Sequence, residues 1–334
     1  MPLKIHIQSP DADNVIDPPV HHILRHLPQE NKASSIEQCD VVIVPITHFH
    51  WFKFSEENMD KVRGKKWVLM DYSEFGWDWN QDTSYLWGQS MLDCPKFGES
   101  EHYRKFDQFV RENPPILTFQ RELLKKDRTD KLLPIEYTSH LQELGAQTND
   151  EFMKRPLEVS YNWSRSHEGR MHLHGAIFQG AGKYGYDVVS DYSHVNKAIE
   201  ENPNSRKWLS VHVPHYARLD VNEVQSYVRK AKVNISWSGC GVKCFRHGEI
   251  CGDSIMAMPE SKLAWSYPWN ISNSLQCFDQ KKYYTFDVVV AQIADFLSRG
   301  DIYQIYTAAM ENARNYRIDT YLRRWVVGSI LQHV

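Results

Sequence analysis

The feature that most constrains this chain is a set of short apolar runs. Asp40–Ile46 reads DVVIVPI, Lys66–Met70 reads KWVLM, and Pro115–Phe119 reads PILTF. A strand with one face in water alternates apolar and polar side chains. A run that is apolar throughout belongs to a parallel strand covered on both faces. These runs are too short for core helices, and polar helix-like segments separate them. The pattern implies α/β units with open parallel sheets. Pro156–Tyr161, Tyr186–Ser190, Leu209–Val213, Val233–Trp237 and Ser254–Met258 continue it in the second half, with helices expected over Arg170–Gln179, Val221–Lys230 and Phe286–Leu297.

At 334 residues the chain has room for two domains of about 150 residues each. A charged linker, Gln147–Arg155, separates two sets of strands. The expected organisation is a Rossmann-like domain over 1–150 and a second over 151–318. The remainder, 319–334, is a C-terminal helix whose apolar face (WVVGSILQHV) should pack back on the first domain. Two such domains facing each other across a cleft would take a ligand outside the carboxyl ends of their strands.

The net charge of −3 gives no support to a nucleic-acid partner. No apolar run approaches the roughly 18 residues of a membrane span, and no leader-like segment opens the sequence, so a soluble, cytoplasmic protein is expected. The six cysteines lack the spacing of a disulfide framework.

The stretch Val233–Trp269 carries the most chemistry. A strand enters a Ser-Gly-Cys-Gly turn at 238–241, a short helix follows over about 242–251, and a second strand ends at Pro259. Strand, glycine turn and helix start together can cradle a phosphate with backbone N–H groups. Arg246 adds a planar guanidinium suited to a diphosphate. Glu249, three residues on, shares its helix face and can accept hydrogen bonds from a ribose diol. The same residues also fit an ordinary strand-turn-helix with a surface ion pair.

The order helix (Val221–Lys230), strand (KVNISWSG), G-x-x-x-x-R-x-x-E-x-x-G over Gly241–Gly252, then SIMAMP resembles the donor domain of GT-B glycosyltransferases. The likeness is to the exostosin-like and fucosyltransferase-like groups and covers about 156–315. Ile250-Cys251 and Met256-Ala257-Met258-Pro259 depart from the usual pattern. The resemblance implies a nucleotide-diphosphate sugar as donor, with Arg246 at the diphosphate and Glu249 at ribose or sugar hydroxyls. Gly239 and Gly241 would form the turn. It also places the loop Trp163–Arg170 beside the donor phosphates, making Arg165 and Arg170 candidates, and the loop His212–Arg218 at the base, through Val213 and Tyr216. An acceptor hydroxyl on a glycan, a protein or a small molecule would be held by the first domain. Asp71 is the first choice for the base that takes its proton, with His48 and His50 as rivals at another strand end.

No cofactor or bound metal is called for. The main rival is a zinc-stabilised binding or scaffold protein, since Cys240, Cys244, His247 and Cys251 are four soft ligands close together. Asp11-Ala12-Asp13 reads as loop capping rather than a metal-binding D-x-D. Gly180-Ala181-Gly182-Lys183 lacks P-loop spacing and reads as a helix terminus.

Overall fold

The computed structural model describes residues 2–8, 26–46, 56–72, 101–121, 123, 125–135, 147–164, 168–213, 221–237, 250, 253–260, 275–279, 286–315 and 318–334. The chain forms two α/β units, each built on an all-parallel sheet. One unit takes Met1–Thr138 together with Ile318–Val334, and the other is drawn from Ser139–Ser261 and Pro268–Arg317.

The first sheet runs β1 (Ile5–Ile7), β2 (Val41–Ile46), β3 (Trp67–Asp71), β4 (Leu117–Gln120) and β5 (Leu132–Pro134), each strand beside its predecessor. All six residues of β2 and all five of β3 are buried, as their unbroken apolar runs require. Helices α1 (Glu56–Val62) and α2 (Glu101–Glu112) supply Met59, Val62, Phe106, Phe109 and Val110 to a core shared with Val42, Val44, Ile46, Trp67 and Leu69. Pro45 sits inside β2 without breaking the sheet. Val42 and Ile46 bond toward β3, through Val42 N–H to Lys66 O and Tyr72 N–H to Ile46 O, while Ile43 O accepts from Gln8 on the β1 side. Successive residues of a strand bond to opposite sides, so Pro45 faces the β1 side, two residues beyond Ile43, the last residue paired with that strand. Its missing N–H removes no ladder bond there.

In the second unit the strands are β6 (Leu157–Ser164), β7 (Tyr186–Val189), β8 (Arg206–Val213), β9 (Ala231–Ile235), β10 (Ile255–Glu260) and β11 (Leu275–Asp279). Their order is β11-β10-β9-β6-β8-β7. The helices of this unit are α3 (Asn149–Met153), α4 (Glu168–Gly180), α5 (Tyr192–Glu201), α6 (Val221–Lys230), α7 (Phe286–Leu297) and α8 (Ile302–Asn315). From β6 the chain goes out to the edge at β7, returns to β8 beside β6, and then crosses to β9 on the other side. The strand order therefore reverses at β6, the kind of point where open α/β sheets bind ligands. One face of the sheet packs Val159, Tyr161, Trp163, Trp208, Val233 and Ile235 against α4, α7 and α8. The other packs Leu209 and Val211 with Val195 of α5 and Tyr227 of α6.

The segment Gln147–Arg155, expected as a linker, contains a capped helix. Thr148 and Glu151 form a reciprocal capping box at the start of α3, which satisfies two of the N–H groups a helix start leaves open. Phe152 of α3 stacks on Tyr306 of α8, with ring centroids 4.2 Å apart. This packing gives α3 to the second unit.

The C-terminal segment is helical in three pieces: Ile318–Tyr321, a π-helical stretch Leu322–Val327, and Gly328–Leu331. Trp325 Nε1 donates to Pro134 O at 2.9 Å, Lys66 Nζ to Val334 O at 3.0 Å, and Arg323 lies 3.2 Å from Glu30. At the other expected helix terminus, α4 ends at Gly180. A tight turn over Ala181–Tyr184 leads to Gly185, whose φ of +78° needs a residue without Cβ.

Asp253 sits just before β10 and is 3 % exposed. It accepts from Gln225 and from Arg229 Nε at 3.3 Å, and Arg155 contributes a second positive field. Burial outweighs these partners and raises the carboxyl above its ordinary value of 3.8. For a raised carboxyl, the stabilising contribution is complete below the unfolded value and is lost as pH rises through the folded one. Between pH 3.8 and that higher folded value, ionising Asp253 thus costs stability. Asp253→Asn should flatten the pH dependence of melting temperature in this window and should not lower it at pH 7. A steeper dependence would contradict this account.

Candidate functional site

The carboxyl ends of the strands gather the polar groups of interest. In the second unit, Trp163 and Ser164 end β6, and Ser164 is paired with Val213, the last residue of β8. Trp163 Nε1 donates to the carbonyl of Ile235, the last residue of β9, at 3.1 Å. This bond crosses the β6–β9 boundary, where the strand order reverses. Arg170 lies in the first turn of α4, which rises just beyond β6, and is 7 % exposed. Its guanidinium carbon lies 4.0 Å from the centroid of the Trp163 ring. Its backbone carbonyl accepts from Tyr161 Oη at 3.1 Å. Burial pushes the Tyr161 hydroxyl's pKa far up, with Arg170 opposing the shift, so Tyr161 acts as a neutral donor.

Tyr161 and Trp163, two apart on β6, stand on one face of the sheet and hold Arg170 by its backbone and by its side chain. On the opposite face Asn162 accepts from Tyr192 Oη at 2.9 Å and donates to Ser160. Tyr192 in turn stacks on Tyr227, with centroids 4.5 Å apart. Both sides of the β6 terminus are thus fixed by buried hydrogen bonds. A cation is presented at the start of a 13-residue helix, whose open N–H groups also favour an anion.

In the first unit, Asp71 is the last residue of β3 and is fully buried. It pairs in register with Gln120 at the end of β4. Arg121 N–H donates to the Asp71 carbonyl at 2.9 Å, and Ile135 N–H to the Gln120 carbonyl at 3.1 Å. Asp71 and Arg121 are the only buried charged side chains among the described residues of this unit. They stand at the carboxyl ends of neighbouring strands.

Of the residues singled out in the sequence, Arg170, Val213 and Asp71 fall within the described residues. Arg170 and Val213 belong to the β6–β8 end of one sheet, and Asp71 to the other unit. Arg165, Tyr216, Gly239, Gly241, Arg246, Glu249, His48 and His50 lie outside the described residues. So do the Asp11-Ala12-Asp13 string and Cys240, Cys244, His247 and Cys251. Among the described residues no group of three or more His, Cys, Asp or Glu side chains could hold a metal ion. No described helix is long and apolar enough to cross a membrane.

Three residues were not singled out by sequence: Tyr161, Gln120 and Arg121. Trp163 is a correction: the sequence reading puts it in the loop Trp163–Arg170, and the structure makes it a buried residue of β6. The alternation Tyr161-Asn162-Trp163-Ser164 carried the signal, because aromatic residues two apart with polar residues between them mark a strand.

No family model matches the chain, and no curated protein matches it. Solved structures similar to it include an alpha-glucosyltransferase in complex with UDP-glucose and DNA containing an abasic site. That match has 10 % identity and a TM-score of 0.47, and covers 89 % of this chain and 82 % of that one. The alpha,alpha-trehalose 6-phosphate synthase from Burkholderia multivorans matches at 11 % identity and a TM-score of 0.45, over 88 % and 72 %. The pneumococcal O-GlcNAc transferase GtfA in complex with UDP and GlcNAc matches at 9 % identity and a TM-score of 0.43, over 87 % and 57 %. The assignment to two parallel-sheet α/β units stands on the sheets themselves.

Proposed function

We propose that the protein is a glycosyltransferase of the GT-B type. In this reading the second unit binds a nucleotide-diphosphate sugar and the first unit holds an acceptor hydroxyl. The observation that carries it is Arg170, a buried guanidinium fixed in the first turn of a helix, beyond the strand at which the order of the sheet reverses. A diphosphate is the ligand that both the guanidinium and the helix start complement.

Transfer breaks the bond between the sugar's anomeric carbon and the diphosphate oxygen, and forms a bond from that carbon to the acceptor oxygen. Negative charge gathers on the departing diphosphate. Cationic donors fixed in a dry site stabilise that charge without reorganising. Arg170 supplies one such donor, and the exostosin-like pattern of the sequence assigns Arg246 and Arg165 to the same task. Glu249 takes the ribose hydroxyls, Gly239 and Gly241 form the turn, and Val213 and Tyr216 border the base. Where the transfer inverts the anomeric centre, the proton of the acceptor hydroxyl passes to Asp71 or to His48. The reaction in this form needs no bound metal, since arginine side chains offset the charge of the diphosphate.

Turnover tests the proposal. Purified protein is incubated with UDP-, GDP-, TDP-, ADP- and CMP-sugars, with and without EDTA, and nucleotide release is followed. One donor should be hydrolysed slowly without acceptor, at a rate that EDTA leaves unchanged. Release of no nucleotide from any donor, with stoichiometric zinc in the purified chain, would overturn it in favour of a zinc-stabilised scaffold. Loss of release in EDTA would remove metal independence alone.

A further inference from the structure

We propose that Trp163 is a positioning residue for the donor site, whose indole face holds the Arg170 guanidinium at the end of β6 in readiness for a diphosphate. This rests on the reading of Arg170 as a diphosphate ligand. The geometry has three parts. Trp163 is fixed by its own hydrogen bond to the Ile235 carbonyl, so its ring cannot rotate without breaking a buried contact across β6 and β9. The guanidinium lies over that ring at 4.0 Å. The main chain of Arg170 is tied separately, through Tyr161 Oη.

Contact through the guanidinium face does not use its N–H donors, which lie in its plane. The aromatic face can therefore hold the cation while the N–H edge serves phosphate oxygens. A long side chain ordered before binding loses less rotamer freedom when the ligand arrives, and this raises affinity. The apolar body of the indole also lowers the local dielectric, which strengthens the charge–charge attraction at the site.

The experiment measures binding of UDP, GDP, TDP and ADP, and of the matching nucleosides, by NMR titration. The proteins are wild type, Trp163→Leu, Trp163→Phe, Arg170→Gln and the Trp163→Leu/Arg170→Gln double variant. Melting curves accompany each. For the diphosphate that binds wild type, Trp163→Leu should weaken affinity about tenfold, comparable with the loss of a buried cation–π contact. Affinity for the nucleoside should change by less than about twofold, because a role confined to the phosphates leaves base and ribose contacts intact. Trp163→Phe keeps an aromatic face but loses the Nε1 bond and should give an intermediate loss of about threefold. In the Arg170→Gln background the Trp163 substitutions should have little further effect, because residues acting through one contact are not additive.

Unchanged diphosphate affinity in Trp163→Leu, alongside a loss in Arg170→Gln, would overturn the positioning role and leave the donor reading standing. If Trp163→Leu fails to fold, Trp163→Phe decides, and wild-type affinity in it would overturn the role. Equal losses for nucleoside and diphosphate would mark Trp163 as purely structural. Unchanged affinity in Arg170→Gln would remove Arg170 as a ligand and the proposal with it. If wild type binds none of the four diphosphates, the donor reading itself fails.

Discussion

Replacing Arg155 with alanine is expected to lower the stability of the second unit by about 3 kcal/mol. Arg155 stands between α3 and β6 and is 8 % exposed. Its guanidinium donates to the Ala231 carbonyl at 2.6 Å, to Gln147 Oε1 at 2.8 Å and to Tyr306 Oη at 3.4 Å. Its guanidinium carbon lies 5.1 Å from the ring centroids of both Phe152 and Tyr306. Desolvation lowers its pKa, but an arginine stays charged at any working pH. Truncation would remove all three donors and leave the buried Ala231 carbonyl at the start of β9 without this bond. It would also remove a cation that lies beside the stacked Phe152–Tyr306 pair, a contact worth roughly 1–2 kcal/mol when desolvated. In a unit of this size the melting temperature should fall by about 6–12 °C. Arg155→Lys should recover less than half of the loss, since an ammonium cannot reproduce the planar fork. Calorimetry on the full chain reads both. A loss below about 1 kcal/mol would show that these contacts of Arg155 contribute little.

The second large effect concerns the donor. Arg246→Ala is expected to weaken binding of a nucleoside diphosphate about tenfold or more without changing the fold. Charge-assisted, bidentate contacts between a guanidinium and phosphate oxygens are among the stronger hydrogen bonds a protein makes, and alanine leaves the phosphate charge uncompensated. Arg170 on the β6 side would keep part of the affinity, so the loss should be partial. Isothermal titration with the diphosphate that binds wild type checks it. Equal affinities for variant and wild type would remove Arg246 from the site.

The strands were legible where burial is complete. DVVIVPI and KWVLM became β2 and β3 with bounds shifted by a single residue, because nothing but a two-sided core suits such runs. The start of β8 was not legible. The apolar pattern starts it at Leu209, while the strand begins at Arg206. Arg206 lies over the Tyr186 ring at 4.5 Å, and Lys207 is buried with its amino group donating to the Ser205 carbonyl at 3.0 Å. Lysine and arginine stems pack like apolar residues while their heads reach polar partners, and a hydropathy pattern hides that. Lys232 in β9 behaves likewise, 2.9 Å from Glu158.

The helix in the linker carried its own signal, Thr148-x-x-Glu151, but it is too short to show periodicity. The cation of Arg170 is visible in the sequence, and the aromatic ring beneath it is not. Arg170 stood out as a charge after a strand. The anchoring of Trp163 depends on the Ile235 carbonyl 72 residues away, a distance that no local pattern spans. The Asp71–Gln120 neighbourhood depends likewise on strand register rather than on sequence proximity.

Thermal unfolding of the full chain with millimolar UDP, GDP, TDP, ADP and CMP, each with and without its sugar, addresses the central claim most directly. A ligand that binds only the folded state must raise the melting temperature, by an amount set by the ratio of its concentration to its Kd. The account predicts that one nucleoside diphosphate and its sugar raise it by several degrees while the other nucleotides do not. It also predicts that Arg170→Gln and Arg246→Ala each shrink that rise. An unchanged melting temperature with every nucleotide would contradict the account.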